Sequence, residues 1–240
     1  MTSSTGPSAG GAAAPEALPV DMNTRFERFP ASLKGAFVLR GADGNPHSVR
    51  FRSAHIARLP AGLLKPIPIE DRMLDIAPSR DLFVPFEAAV SELDPGWYAV
   101  RSAVQVDAGR SFEFSSRAFS IAWPRNDVRR GVIHLRQSVQ LGDRSFVIEE
   151  VDLASDSATV VWRSEEDEDP AARPRQATVI LLADGAALEA LPEGAGPAMA
   201  RRSSREDRTV FYPMPKSARS AAAVIRLAGE DSKAVPIPLG

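Results

Sequence analysis

Polar and apolar residues alternate along most of this chain with a period of two, the repeat of a strand that buries one face. The clearest stretch is Trp97–Asp107 (WYAVRSAVQVD), with Tyr98, Val100, Ser102, Val104 and Val106 on one face and Arg101 and Gln105 on the other. Asp94-Pro95-Gly96 opens it as a turn, because proline presets φ and glycine accepts a positive one. Asp107-Ala108-Gly109-Arg110 predicts a hairpin loop, with Ser111–Trp123 returning alongside. Upstream, strands are predicted over Gly35–Arg40, His47–Leu59 and Asp81–Leu93. Val49, Phe51 and Ser53 share one face of the second of these, and Pro85 places the third at a sheet edge or a bulge. Pro60–Pro68 is too rich in proline for a central strand.

The pattern restarts after Pro124-Arg125-Asn126-Asp127. Arg130–Leu141 carries Ile133, Leu135, Val139 and Leu141 in register, Gly142-Asp143 turns the chain into Arg144–Leu153, and Ser155-Asp156-Ser157 turns it into Ala158–Arg163. Gln176–Ala183 is the most apolar run and reads as a central strand. Thr209–Met214 and Ala221–Leu227 complete the set; the acidic, proline-containing Ser164–Arg175 reads as a solvated connection, and Leu188–Asp207 breaks the β texture, with Ala186–Leu191 as a short strand or helical turn. Met1–Leu18 consists largely of Gly, Ala, Ser, Thr and Pro and has little to bury, which predicts a disordered tail over residues 1–24. Two successive sets of short strands, with turn signals roughly 8 to 12 residues apart, predict an all-β chain. The expected organisation is a tail (1–24), a first β-sandwich (25–125) and a second (126–240).

Within that pattern, Leu93-Asp94-Pro95-Gly96-Trp97-Tyr98-Ala99-Val100, followed by Val104 and Val106, resembles a bacterial immunoglobulin-like domain, in which a turn precedes an aromatic-led strand and a hairpin returns. The second half is similar through Gln140-Leu141-Gly142-Asp143, Phe146-Val147-Ile148-Glu149-Glu150-Val151 and Thr159-Val160-Val161-Trp162. The resemblance spans Leu33–Leu239 and implies two tandem immunoglobulin-like sandwiches. It implies no activity, because this architecture hosts adhesion, sugar binding and plain spacing alike.

Charge and composition narrow function by exclusion. With 29 basic and 31 acidic residues the net charge is -2, which gives no global field for nucleic acid or an anionic membrane. The absence of cysteine removes disulfides, thiolate chemistry and cysteine metal sites. The N-terminus has no basic region or apolar core of a secretory signal, and no apolar run is long enough to span a bilayer. The expected location is cytoplasmic.

Catalytic motifs are missing from the sequence. His47, His55 and His134 lack metal-ligand spacing, so no metal is expected. Gly6-Pro7-Ser8-Ala9-Gly10 fits the letters of a nucleophile elbow but has no strand before it or helix after it. No phosphate-binding glycine loop opens a helix, so no nucleotide or other cofactor is expected. Glu149 and Glu150 point to opposite faces of a strand and form no carboxylate dyad, while Glu150 and Asp152 share a face read as solvated. Glu165-Glu166-Asp167-Glu168-Asp169 lacks the glycine and terminal glutamate of a calcium loop and reads as a solvated connection.

Two features remain as candidate contacts. Arg201, Arg202 and Arg205 form a basic cluster, with Ser204 in an R-R-x-S arrangement as a candidate phosphoacceptor. Trp123, beside Pro124, is the tryptophan expected to be partly exposed. The sequence therefore points to a non-enzymatic interaction or scaffold protein that binds another protein, with a small-ligand or carbohydrate-binding module as the alternative. Charge reversal of Arg201, Arg202 and Arg205 together is expected to weaken partner binding at low salt and to leave stability unchanged. Binding measured against salt, beside a melting curve, checks this.

Overall fold

Alternating segments become strands wherever a second sheet is available to cover their apolar face. The computed structural model describes residues 18–60, 62, 64–107, 109–165, 177–192 and 206–240, and the following concerns those residues. The strands before residue 122 are β1 (Val20–Arg28), β2 (Ser32–Gly41), β3 (His47–Arg58), β4 (Leu64–Pro66), β5 (Leu74–Ile76), β6 (Leu82–Ala89), β7 (Gly96–Val106), β8 (Ser111–Ser115) and β9 (Phe119–Ile121). After residue 130 come β10 (Gly131–Leu141), β11 (Arg144–Leu153), β12 (Ala158–Ser164), β13 (Thr178–Ala183), β14 (Ala186–Ala187), β15 (Asp207–Phe211), β16 (Ala221–Leu227), β17 (Glu230–Asp231) and β18 (Val235–Ile237). The described chain is all-β and contains no helix.

Four sheets result. In the first half β1-β2-β6 forms one, and β4-β3-β7-β8 forms another, with β5 added to β3 and β9 to β7. In the second half the orders are β10-β11-β12-β15 and β14-β13-β16-β17, with β18 added to β16. None of these sheets contains strands from both halves. The two sheets of each half share one apolar layer. Leu33, Phe37 and Leu39 of β2 meet Val49 and Ile56 of β3 and Tyr98 and Val100 of β7 in the first. Ile148 and Val151 of β11 and Val160 of β12 meet Leu181 of β13 and Ala223 and Ile225 of β16 in the second.

Local chemistry explains where the pattern held. Gly142 takes φ 64° in the two-residue turn that pairs Leu141 with Arg144, a conformation that glycine adopts without a Cβ clash. Pro85 lies in β6, which pairs only with β2, so its missing N–H can face away from the ladder. Tyr98, Val100, Ser102, Val104 and Val106 are all buried on the inner face of β7, as the alternation requires.

Three expectations are corrected. Part of the predicted 1–24 tail belongs to a strand: β1 starts at Val20, which is buried and paired with Gly41. Its polar outward residues, Asp21, Asn23, Arg25 and Glu27, dilute the apolar signal of the inward ones. The Ser111–Trp123 return is broken between β8 and β9. There Ser116 inserts its hydroxyl to accept from Val100 N at 2.9 Å, while its own N–H donates to Val100 O at 2.8 Å. In β3 a bulge between Phe51 and Ser53 moves the inward set to Ala54 and Ile56, leaving Ser53 exposed.

One polar contact ties two connections of the first half together. His47 is buried at the start of β3, with Nδ1 2.7 Å from Asp107 Oδ2 and Nε2 2.8 Å from Asp43 Oδ1. Only an imidazolium can donate from both nitrogens at once. Hydrogen bonds to Asp107 and then Asp43 accordingly raise the His47 pKa above its ordinary 6.5. The hydrogen bond from His47 and that from Ser48 N lower Asp107, and bonds from Asn45 and His47 lower Asp43.

Two outcomes are expected. Val20→Ala should cost about 2 kcal/mol by opening a cavity under β1, lowering the melting temperature by about 5 °C. The His47 contribution should be fully present below pH 6.5 and lost as pH rises through its raised folded value. The two aspartates act in the opposite range: their contributions, present above the ordinary 3.8, are lost as pH falls through their lowered values. The melting-temperature gap between wild type and His47→Gln should thus be widest near pH 5–6 and narrow on the alkaline side. A gap independent of pH from 5 to 9 would contradict the assignment.

Candidate functional site

The alternation that buries Tyr98 and Val100 inward sends Trp97 and Ala99 to the opposite face of β7. Both are nevertheless buried, in a small cluster with Leu59 from the first half and Leu191 from the second. Trp123, Val210 and Tyr212 pack against it. Trp97 Nε1 donates to Asp156 O at 2.6 Å, in the turn between β11 and β12, and the Ser120 hydroxyl donates to the Asp156 carboxylate. Tyr212 Oη donates to Leu59 O, and Trp123 N donates to Ser155 O at 3.0 Å. The junction between halves is thus apolar at its centre and hydrogen-bonded around its rim.

This places the sequence candidates. Trp123 is half-buried, edge-on to Tyr212 with ring centroids 6.0 Å apart, in the junction and outside any strand. Arg201, Arg202, Ser204 and Arg205 lie outside the described residues, as does the acidic connection beyond Glu165. Trp162 is buried in the second core, where its Nε1 donates to Thr209 Oγ1 at 3.3 Å. Trp97, expected as core, belongs to the junction instead.

The β11 carboxylates differ from the reading of a solvated face. Glu150 is 3% exposed, and its Oε2 lies 2.9 Å from His134 Nδ1 on β10. Burial and then the Glu150 charge raise the Asp152 pKa above the ordinary carboxylate range. Glu149 pairs separately with Arg163 Nε at 2.8 Å. A bulge between Ile148 and Glu150 shifts the register against β12, so period-two counting past Ile148 misplaces these side chains. Among the described residues no group of three or more His, Asp or Glu side chains is arranged to hold a metal ion.

A cavity of about 490 Å³ opens where the inter-half segment meets the end of the second half. Residues 124–130 are sewn to the turn after β15: Arg129 N donates to Met214 O at 2.9 Å, Lys216 N donates to Asp127 O at 2.9 Å, and Val128 bridges Pro215. The Arg129 guanidinium donates to Ala218 O at 2.8 Å and Gly240 O at 2.9 Å, which fixes the segment after β18. Val128, Ile133, Leu153 and Leu239 supply apolar lining, and Arg125, Arg130 and Lys216 add exposed cations. No carboxylate side chain lines it. Such an arrangement can hold an anion that carries an apolar group. Sequence reasoning missed it because its walls come from residues 125–126, 128–131, 133, 153, 216 and 238–240, and each basic residue alone reads as an ordinary surface charge.

No family model matches the chain, and no curated protein matches it. Among solved structures, the crystal structure of the conserved domain protein from Bacillus anthracis aligns over 90% of this chain and 77% of that one, at 9% identity and a TM-score of 0.30. A likeness at that score carries no argument about fold or function.

Proposed function

We propose that this is a non-enzymatic, cytoplasmic interaction or scaffold protein, built from two immunoglobulin-like β-sandwiches, 25–125 and 126–240, that hold a fixed relative orientation and bind another protein. The observation that carries this reading is the junction. Units joined only by a linker move relative to one another by default, unless an apolar interface holds them. Here Trp97, the largest side chain of the junction centre, is 3% exposed and anchored by its indole N–H to the other half. A frame that keeps two sets of edges and loops in register suits the recognition of an extended protein surface.

Tyr212→Phe removes the hydroxyl that reaches Leu59 and should cost about 1 kcal/mol. Trp97→Ala, which lies outside both main cores, should leave each half folded while widening the distribution of inter-half distances in small-angle scattering. Native partners captured by the wild-type chain should bind Trp97→Ala more weakly. Undiminished partner binding by a loosened variant would reject the rigid-frame reading, and turnover in a broad hydrolase screen would reject the non-enzymatic one.

A further inference from the structure

We propose that the cavity bounded by Arg125–Ile133, Lys216 and Pro238–Gly240 is a docking site for an acidic peptide segment, with an apolar side chain on the floor and carboxylates on the basic rim. The inference rests on the reading of the chain as an interaction protein, but it uses residues outside the buried junction cluster.

The charge balance points to an anion. Among the described residues Arg125, Arg130 and Lys216 make no ion pair, and all three are exposed. Arg129 is different, since its guanidinium is committed to two main-chain carbonyls and serves to hold the walls. In a chain of net charge -2, three cations without an ion pair among the described residues around one concavity make a local positive field that the overall composition hides.

The lining selects among anions. A bare oxyanion would gain nothing from Val128, Ile133, Leu153 and Leu239, whereas a leucine-sized side chain would shed water there. Nucleic acid is disfavoured, because no lining residue is aromatic and single strands bind by stacking on aromatic platforms. A flat bilayer surface cannot follow a concavity of this kind. A volume of about 490 Å³ lies within the range of sites that enclose a small ligand or a short anchor. β10, whose first residues line the cavity, is an edge strand of its sheet, so an extended segment could leave the cavity alongside it.

The test uses the full chain and a fluorescein-labelled peptide of alternating Glu and Leu, with a Gln-for-Glu counterpart. Fluorescence anisotropy at 50 and 300 mM salt should show the acidic peptide binding at least tenfold tighter than the neutral one, with the advantage shrinking as salt rises. The triple variant Arg125→Glu, Arg130→Glu and Lys216→Glu should lose at least tenfold at an unchanged melting temperature. Lys216→Ala alone should lose less, and Lys216→Arg should restore binding, which keeps the test informative if the triple variant fails to fold. Ile133→Ser should weaken binding without altering its salt dependence. Equal affinity for the neutral peptide, or wild-type affinity in the triple variant, would overturn the proposal. So would displacement by millimolar inorganic phosphate alone, which would mark a simple oxyanion site, or preference for a single-stranded oligonucleotide. Absence of peptide binding in a chain that still captures its native partner, and loses it with Trp97→Ala, would sink the cavity and leave the interaction reading in place.

Discussion

A sheet with one apolar face needs another surface to cover it, and among the described residues this chain offers only further sheets. There is no cysteine to cross-link the layers. Face-to-face burial must therefore hold each half together, and the residues that do so are drawn from both of its sheets. Phe37 of β2 touches Phe51 of β3 and Phe86 of β6, with ring centroids 5.0 and 4.8 Å apart. Tilted aromatic contacts of this kind add a little beyond area burial, and the Phe37–Phe51 contact joins the two sheets.

The same logic governs the join between halves. β7 is buried on both faces from Gly96 to Val100, and an edge of apolar surface remains only because the other half covers it. Trp97 cannot be buried there without a partner for its N–H, and Asp156 O provides one from across the boundary. The inter-half segment is pinned to the turn after β15, and this pinning leaves Arg125 and Arg130 at the rim of the cavity.

Much of this was legible in the sequence where one rule acted alone. The β7 alternation, the Gly142-Asp143 turn and the edge position of Pro85 each follow from period, positive φ or a missing N–H. Legibility failed where a local insertion or a distant contact intervened. Counting by two cannot see the bulges at Arg52 or after Ile148, so it assigns Ser53 and Glu150 the wrong surroundings. The strand at Val20 is hard to read because only Val20, Met22 and Phe26 of its nine residues are apolar. The cavity was invisible for a plainer reason: its walls are brought together only by the fold.

Pro85 has a further consequence for the molecule in a crowded cell. Among the described residues the outer side of β6 is an open ladder, flanked by an exposed Phe83, and a strand of that kind invites a second copy to extend it. A proline in the middle of that ladder interrupts the run of donors that an incoming strand would need. Among the described residues, Pro85 thus makes the outer side of β6, beside the exposed Phe83, a poor template for a further strand.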